Sequence, residues 1–162
     1  MTRVVIAVML ALALPAQAQP DQAVTFPRTK TTLRVPASFT RVEKTGLVAG
    51  FRDSRGTLLA VTRASLPNPD AWRSKTRDAY LEQIERGVLA SIRGAKKLSR
   101  QALSAGGIPA LDLEVRRDDG ATILVRVLVF RTYALSLALE VPKRGSLDDA
   151  RAIVKSFAPP KT

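Results

Sequence analysis

"GGIPALDLEVRRDDGATILVRVLVFRTYALSLALEVP", residues 106–142, alternates apolar and polar side chains almost throughout. A period of two places successive side chains on opposite faces of an extended chain, so the stretch divides into three antiparallel strands, over residues 108–117, 121–130 and 133–141. Asp118-Asp119-Gly120 has the length of a three-residue hairpin loop with glycine at the left-handed position. That loop pairs Val115 with Ile123, Leu113 with Val125 and Leu111 with Val127. Carried at the same parity through a turn at residues 131–133, the register sets Val125, Val127 and Val129 opposite Leu139, Leu137 and Leu135. One continuous apolar face is expected.

The opposite face holds Arg126 in the middle of the most apolar run. The same register puts Asp112 directly across from it, Glu114 on the diagonal and Glu140 on the next strand. The four side chains are read first as a structural ion pair with its neighbours, which adds little net stability when intact but is costly to break. They would also serve as the floor of a pocket for a small polar ligand.

Upstream, residues 30–35 alternate and stop at Pro36, and residues 47–53 and 57–63 form two short strands joined by a type I turn, Asp53-Ser54-Arg55-Gly56. Asn68, Pro69 and Asp70 suit a cap, a first helical position and a first turn, so a helix is expected to begin there. Its surest part covers residues 76–93, where Tyr80, Leu81, Ile84, Val88 and Ile92 line one face, and Gly94 ends it. Trp72 is read as a core anchor, with a sugar-stacking platform as the competing role. A strand at residues 97–104 leads into the quoted stretch. After it, Ser146 caps a short helix whose buried stripe is Leu147, Ala150, Val154 and Phe157; Asp148 and Asp149 belong to its first turn. The whole is an α+β domain: an antiparallel sheet of about six to seven strands flanked by a long helix and a short C-terminal helix, an α/β/α sandwich.

Residues 1–18 read as a secretory signal, since Arg3 precedes an apolar run ending at Leu14, and Ala16-Gln17-Ala18 has the small-x-small form of a cleavage site. That run is about half the roughly 20 residues a membrane span needs, so no transmembrane segment is expected after cleavage. Residues 19–27 read as a flexible segment, residues 28–158 as one domain and residues 159–162 as a tail. The 162-residue chain has no cysteine, which excludes both disulfides and a lipid attached to an N-terminal thiol.

Charge is uneven: 26 Lys and Arg against 14 Asp and Glu give a net +12, and most of the excess lies before residue 101. Such a field attracts anionic partners. Lys30, Arg34, Arg41, Lys44, Arg52 and Arg55 are the candidate anion-binding residues. No basic run interleaves with aromatics, so nucleic acid is not an expected partner.

The order of elements, together with "LRVPASF" near the start, "GGIPALDLEV" and "FRTYALSLALEVP" in the strand meander and "LDDARAIVKSF" in the last helix, resembles the PsbP-like superfamily. That group includes the extrinsic PsbP protein of photosystem II, the Ran-binding Mog protein and secreted bacterial proteins such as DcrB. The resemblance implies a sheet between helices and an accessory binding role. It supplies fold markers and no site residues.

The enzyme inventory is thin. Without His or Cys, imidazole bases, thiolate nucleophiles and the usual zinc sites are excluded. Gly106-Gly107 precedes a strand and so is not a phosphate loop, and Asp118-Asp119 is explained by its turn. No catalytic residue, metal or cofactor is assigned. The expected function is a secreted or periplasmic, non-catalytic accessory domain that binds an envelope protein. The alternative is a module that binds anionic envelope components, lipopolysaccharide or an acidic polymer, through the six cations.

Overall fold

A computed structural model describes residues 21–66 and 74–160. The expected signal, the helix start at residues 68–70 and Trp72 lie outside the described residues. In chain order the elements are β1 (Gln22–Phe26), β2 (Thr31–Val35), β3 (Thr40–Arg41), β4 (Ala49–Arg52), β5 (Leu58–Ser65), α1 (Ser74–Ser91), β6 (Lys96–Ala105), β7 (Ile108–Arg116), β8 (Thr122–Val129), β9 (Tyr133–Val141) and α2 (Leu147–Ser156). A seven-stranded sheet runs β3-β4-β5-β9-β8-β7-β6, and β1 and β2 form a separate two-stranded sheet. All neighbouring strands are antiparallel.

The middle of the large sheet, β7 to β9, is covered on both faces. On one, Leu111, Leu113, Val115, Val125, Val127 and Val129 pack beneath Leu81, Tyr80, Ile84 and Val88 of α1. On the other, Leu59, Val61, Leu124, Leu128, Leu135, Leu137 and Leu139 pack beneath Ala150, Ile153, Val154 and Phe157 of α2 and Phe26, Leu33 and Val35 of the small sheet. Strand β8 therefore reads as a nearly unbroken apolar run, as a strand covered twice must.

The β7–β8 register is the expected one, with Leu111 opposite Val127, Leu113 opposite Val125 and Asp112 opposite Arg126. The β8–β9 register differs by one residue: Val125, Val127 and Val129 oppose Ala138, Ser136 and Ala134, while Leu135, Leu137 and Leu139 oppose Leu128, Arg126 and Leu124. The cause is the turn. It holds two residues, Arg131 and Thr132, and closes with the Phe130 amide donating to the Tyr133 carbonyl at 2.9 Å. Because side chains alternate, one residue fewer in the loop sends every β9 side chain to the other face. The single apolar face expected from the sequence is in fact two.

Among the described residues, both terminal segments carry more regular structure than expected. The segment read as flexible contains β1, where Val24 pairs with Leu33 and the Phe26 ring meets Phe157 edge-on at 5.8 Å. Five residues between two prolines offer too little alternation to reveal a strand, and tertiary packing supplies the rest. Strand β2 pairs with β1 and stays outside the large sheet. At the other end, Thr32 and Ala158 exchange backbone hydrogen bonds at 2.9 and 3.1 Å, and Pro159, placed in the tail by the sequence, is buried.

The edge strand β6 is blunted by Lys96, Lys97 and a register shift between Lys97 and Ser99. It is tied to α1 by Glu85, which is 7% exposed and accepts from Lys97 Nζ and Arg100 Nε, each at 2.6 Å. The Lys97 hydrogen bond, aided by Arg100 and opposed by desolvation, holds the Glu85 carboxyl below its usual range. A carboxyl depressed in the folded state stabilises fully above its unfolded value, about pH 4.3, and loses that contribution as pH falls through the folded one. Glu85→Gln should therefore be less stable than the parent at pH 7, and the gap should close as pH drops below about 4. Urea denaturation at both pH values checks this; a gap independent of pH would mean that the Glu85 charge is not what matters.

Candidate binding groove

Arg126 projects from the centre of β8 under the C-terminal end of α2. Its Nε and Nη2 donate to the two carboxylate oxygens of Asp112 at 2.7 and 2.6 Å, and Nη1 donates to the carbonyls of Lys155 at 3.2 Å and Phe157 at 3.5 Å. The last carbonyls of a helix lack internal partners and carry partial negative charge. Helix α2 ends on Phe157 in an extended conformation, with no glycine to close it, so the guanidinium takes the place of a C-terminal cap. At 5% exposure Arg126 presents no open face to a ligand.

The other two carboxylates expected around it are engaged elsewhere. Glu114 shares the Arg126 face but pairs with Arg151 of α2 at 2.8 Å, whose hydrogen bond holds the Glu114 carboxyl below its ordinary range. Glu140 stands opposite Ile123, on the other face, and pairs with Arg117 at 2.8 Å. The one-residue change in register is what removes it from Arg126.

Among the described residues, none of Lys30, Arg34, Arg41, Lys44, Arg52 and Arg55 forms an ion pair. They do not form one patch. Arg34 and Arg55 line a groove of about 790 Å³, whereas Arg41 and Lys44 line a separate hollow of about 420 Å³ beside residues 42–50. Lys30 occupies a left-handed position in the β1–β2 turn, φ 53°. Arg52 alternates with the buried Phe51 and so faces the far side of the sheet. Lys30 and Arg52 border neither depression.

The larger groove lies between α2, β2 and the β4–β5 turn. The turn is built by Asp53, whose Oδ1 accepts the amides of Arg55 at 2.9 Å and Thr57 at 2.8 Å. Opposite it, Ser146 caps α2 by accepting the Asp149 amide at 3.3 Å. Ser156 locks the helix to β2: its Oγ accepts the Arg34 amide at 3.0 Å and donates to the Ile153 carbonyl at 2.6 Å. Arg126 fixes the end of the same helix from below. Arg34, Arg55 and Lys155 share the lining of this trough with Asp21, Asp53 and Asp149, and the buried Phe39, Val141 and Ile153 supply its apolar part.

Local pattern exposed Arg34 and Arg55 but missed Lys155, Asp149 and Ala152. Their meeting depends on β2 leaving the large sheet to lie beside α2, which no window of sequence records. Among the described residues there is no group of three or more acidic side chains placed to hold a metal ion, and no helix is long and apolar enough to cross a membrane.

No family model matches the sequence, and neither does any curated protein. Solved structures do match. Cyanobacterial PsbP from Synechocystis sp. PCC 6803 superposes with a TM-score of 0.58 at 14% identity, over 91% of this chain and 95% of that one. A protein of unknown function from Pseudomonas aeruginosa matches with a TM-score of 0.48 at 12% identity, over 89% of this chain and 100% of that one. In its seven-stranded antiparallel sheet, its small two-stranded sheet and its two helices, this chain has a PsbP-like fold.

Proposed function

We propose that the protein is an exported, non-catalytic accessory module that docks a segment of an envelope protein in the groove between α2 and β2. The observation that carries this reading is that three cations and three carboxylates line one groove together with apolar Phe39, Val141 and Ile153. A protein segment bears both charges and apolar side chains and can match such a surface. A polyanion would meet Asp21, Asp53 and Asp149 in the groove, and the six unpaired cations that would serve it lie in separate places. Export rests on residues 1–18, and the absence of His and Cys from the sequence supports a binding role over a catalytic one.

Ala152 is exposed on α2 and lines the groove. Ala152→Arg fills the trough at little cost to the helix, since arginine is among the better helix formers. It should leave Tm unchanged and cut capture of the partner from envelope extract about tenfold, a loss of about 1.4 kcal/mol. Capture by the parent should survive a rise from about 0.1 to about 1 M salt, which shortens the screening length from about 10 to about 3 Å. Capture indifferent to Ala152→Arg, or replaced by salt-sensitive binding to lipopolysaccharide, would overturn the proposal.

A further inference from the structure

Where the β1–β2 turn passes over the end of the large sheet, a second cleft of about 310 Å³ opens, sharing no lining residue with the groove. Its walls are apolar: Phe26, Leu135, the ring of Tyr133 and Val48. Val48 is 44% exposed, one of two exposed large hydrophobic residues among those described. Two guanidiniums complete the lining, Arg28 from the turn and Arg63 from β5, and no carboxylate does. Neither arginine forms an ion pair among the described residues.

Arg63 is held in place. It lies 4.2 Å above the Tyr133 ring, and that ring stacks on Phe130 with centroids 5.0 Å apart. A cation fixed over an aromatic face loses little freedom when an anion arrives, and its planar fork suits a carboxylate or phosphate. The volume sits at the lower end of the range of small-molecule pockets, about 300–1,000 Å³.

We propose that this cleft binds a small amphipathic oxyanion, an apolar chain or ring whose single carboxylate or phosphate lies between Arg28 and Arg63. The apolar body covers Val48, which folding leaves 44% exposed, and the headgroup neutralises two unpaired cations.

Titration of the nitrogen-labelled protein with octanoate, octyl phosphate, octylamine and acetate, followed at the amides of Val48 and Tyr133, tests this. Saturable shifts are expected with octanoate, octyl phosphate or both, the tighter of the two identifying the headgroup. Octylamine lacks the anion and acetate lacks the body, and each should bind at least about tenfold more weakly, as should octanoate to Arg63→Gln. Val48→Asp sets a carboxylate in the mouth of the cleft and should abolish binding with Tm unchanged. Ala152→Arg, in the separate groove, should have no effect here. The assignment is overturned if neither oxyanion gives saturable shifts, if octylamine or acetate binds as tightly as octanoate, or if Val48→Asp and Arg63→Gln both leave binding intact.

Discussion

Phe157→Ala is expected to destabilise the fold by about 4 kcal/mol, in the upper part of the range for buried aromatic truncations. The side chain is 0% exposed and sits where three elements converge. It meets Phe26 of β1 edge-on at 88°, belongs to the core beneath α2 with Leu33 of β2, and its carbonyl oxygen accepts from Arg126. Removing the ring loses its transfer free energy and leaves a cavity that the rigid large sheet cannot close. Urea denaturation measures the change. A loss below about 1 kcal/mol would mean that the small sheet and α2 are not packed against one another as described.

Asp112→Ala comes next, at about 3 kcal/mol, because it leaves a buried guanidinium with carbonyl oxygens alone for partners. The reverse change should be milder. Arg126→Met keeps much of the volume, and Asp112, whose side chain is 26% exposed, can recover water. About 2 kcal/mol is expected for that variant, from the unmet carbonyls of α2 and the partly stranded carboxylate. Denaturation curves of the two single variants order them, and equal losses would mean that the guanidinium reaches water when its partner is gone.

Much of this arrangement was legible in residues 106–142. The Asp118 to Gly120 loop, with Gly120 at φ 84°, set the β7–β8 register and so placed Asp112 against Arg126. The next turn was not legible, since Arg131 and Thr132 carry none of the Gly or Asn punctuation of tight hairpins, and counting one residue too many misplaced Leu135, Leu137, Leu139 and Glu140 together. The stripe of α1 and the Ser146 cap could be read because they are local. Strand β1, the role of the Lys155 and Phe157 carbonyls and the groove itself could not. Each arises from contacts between segments far apart in the chain, where tertiary packing overrides weak local pattern. The six cations show the same limit: sequence identified them as an unbalanced set, and only the fold separates Arg34 and Arg55 from Lys30 and Arg52.

The central claim is that Arg126 holds α2 in place as a wall of the groove and is not itself a ligand-binding group. The double-mutant cycle between Asp112→Ala and Arg126→Met tests this most directly. If the pair is structural, the double variant should be more stable than the sum of the single losses predicts, by at least about 1 kcal/mol, since neither charge is left behind. Losses that add to within about 0.5 kcal/mol, the behaviour of independent sites, would contradict it.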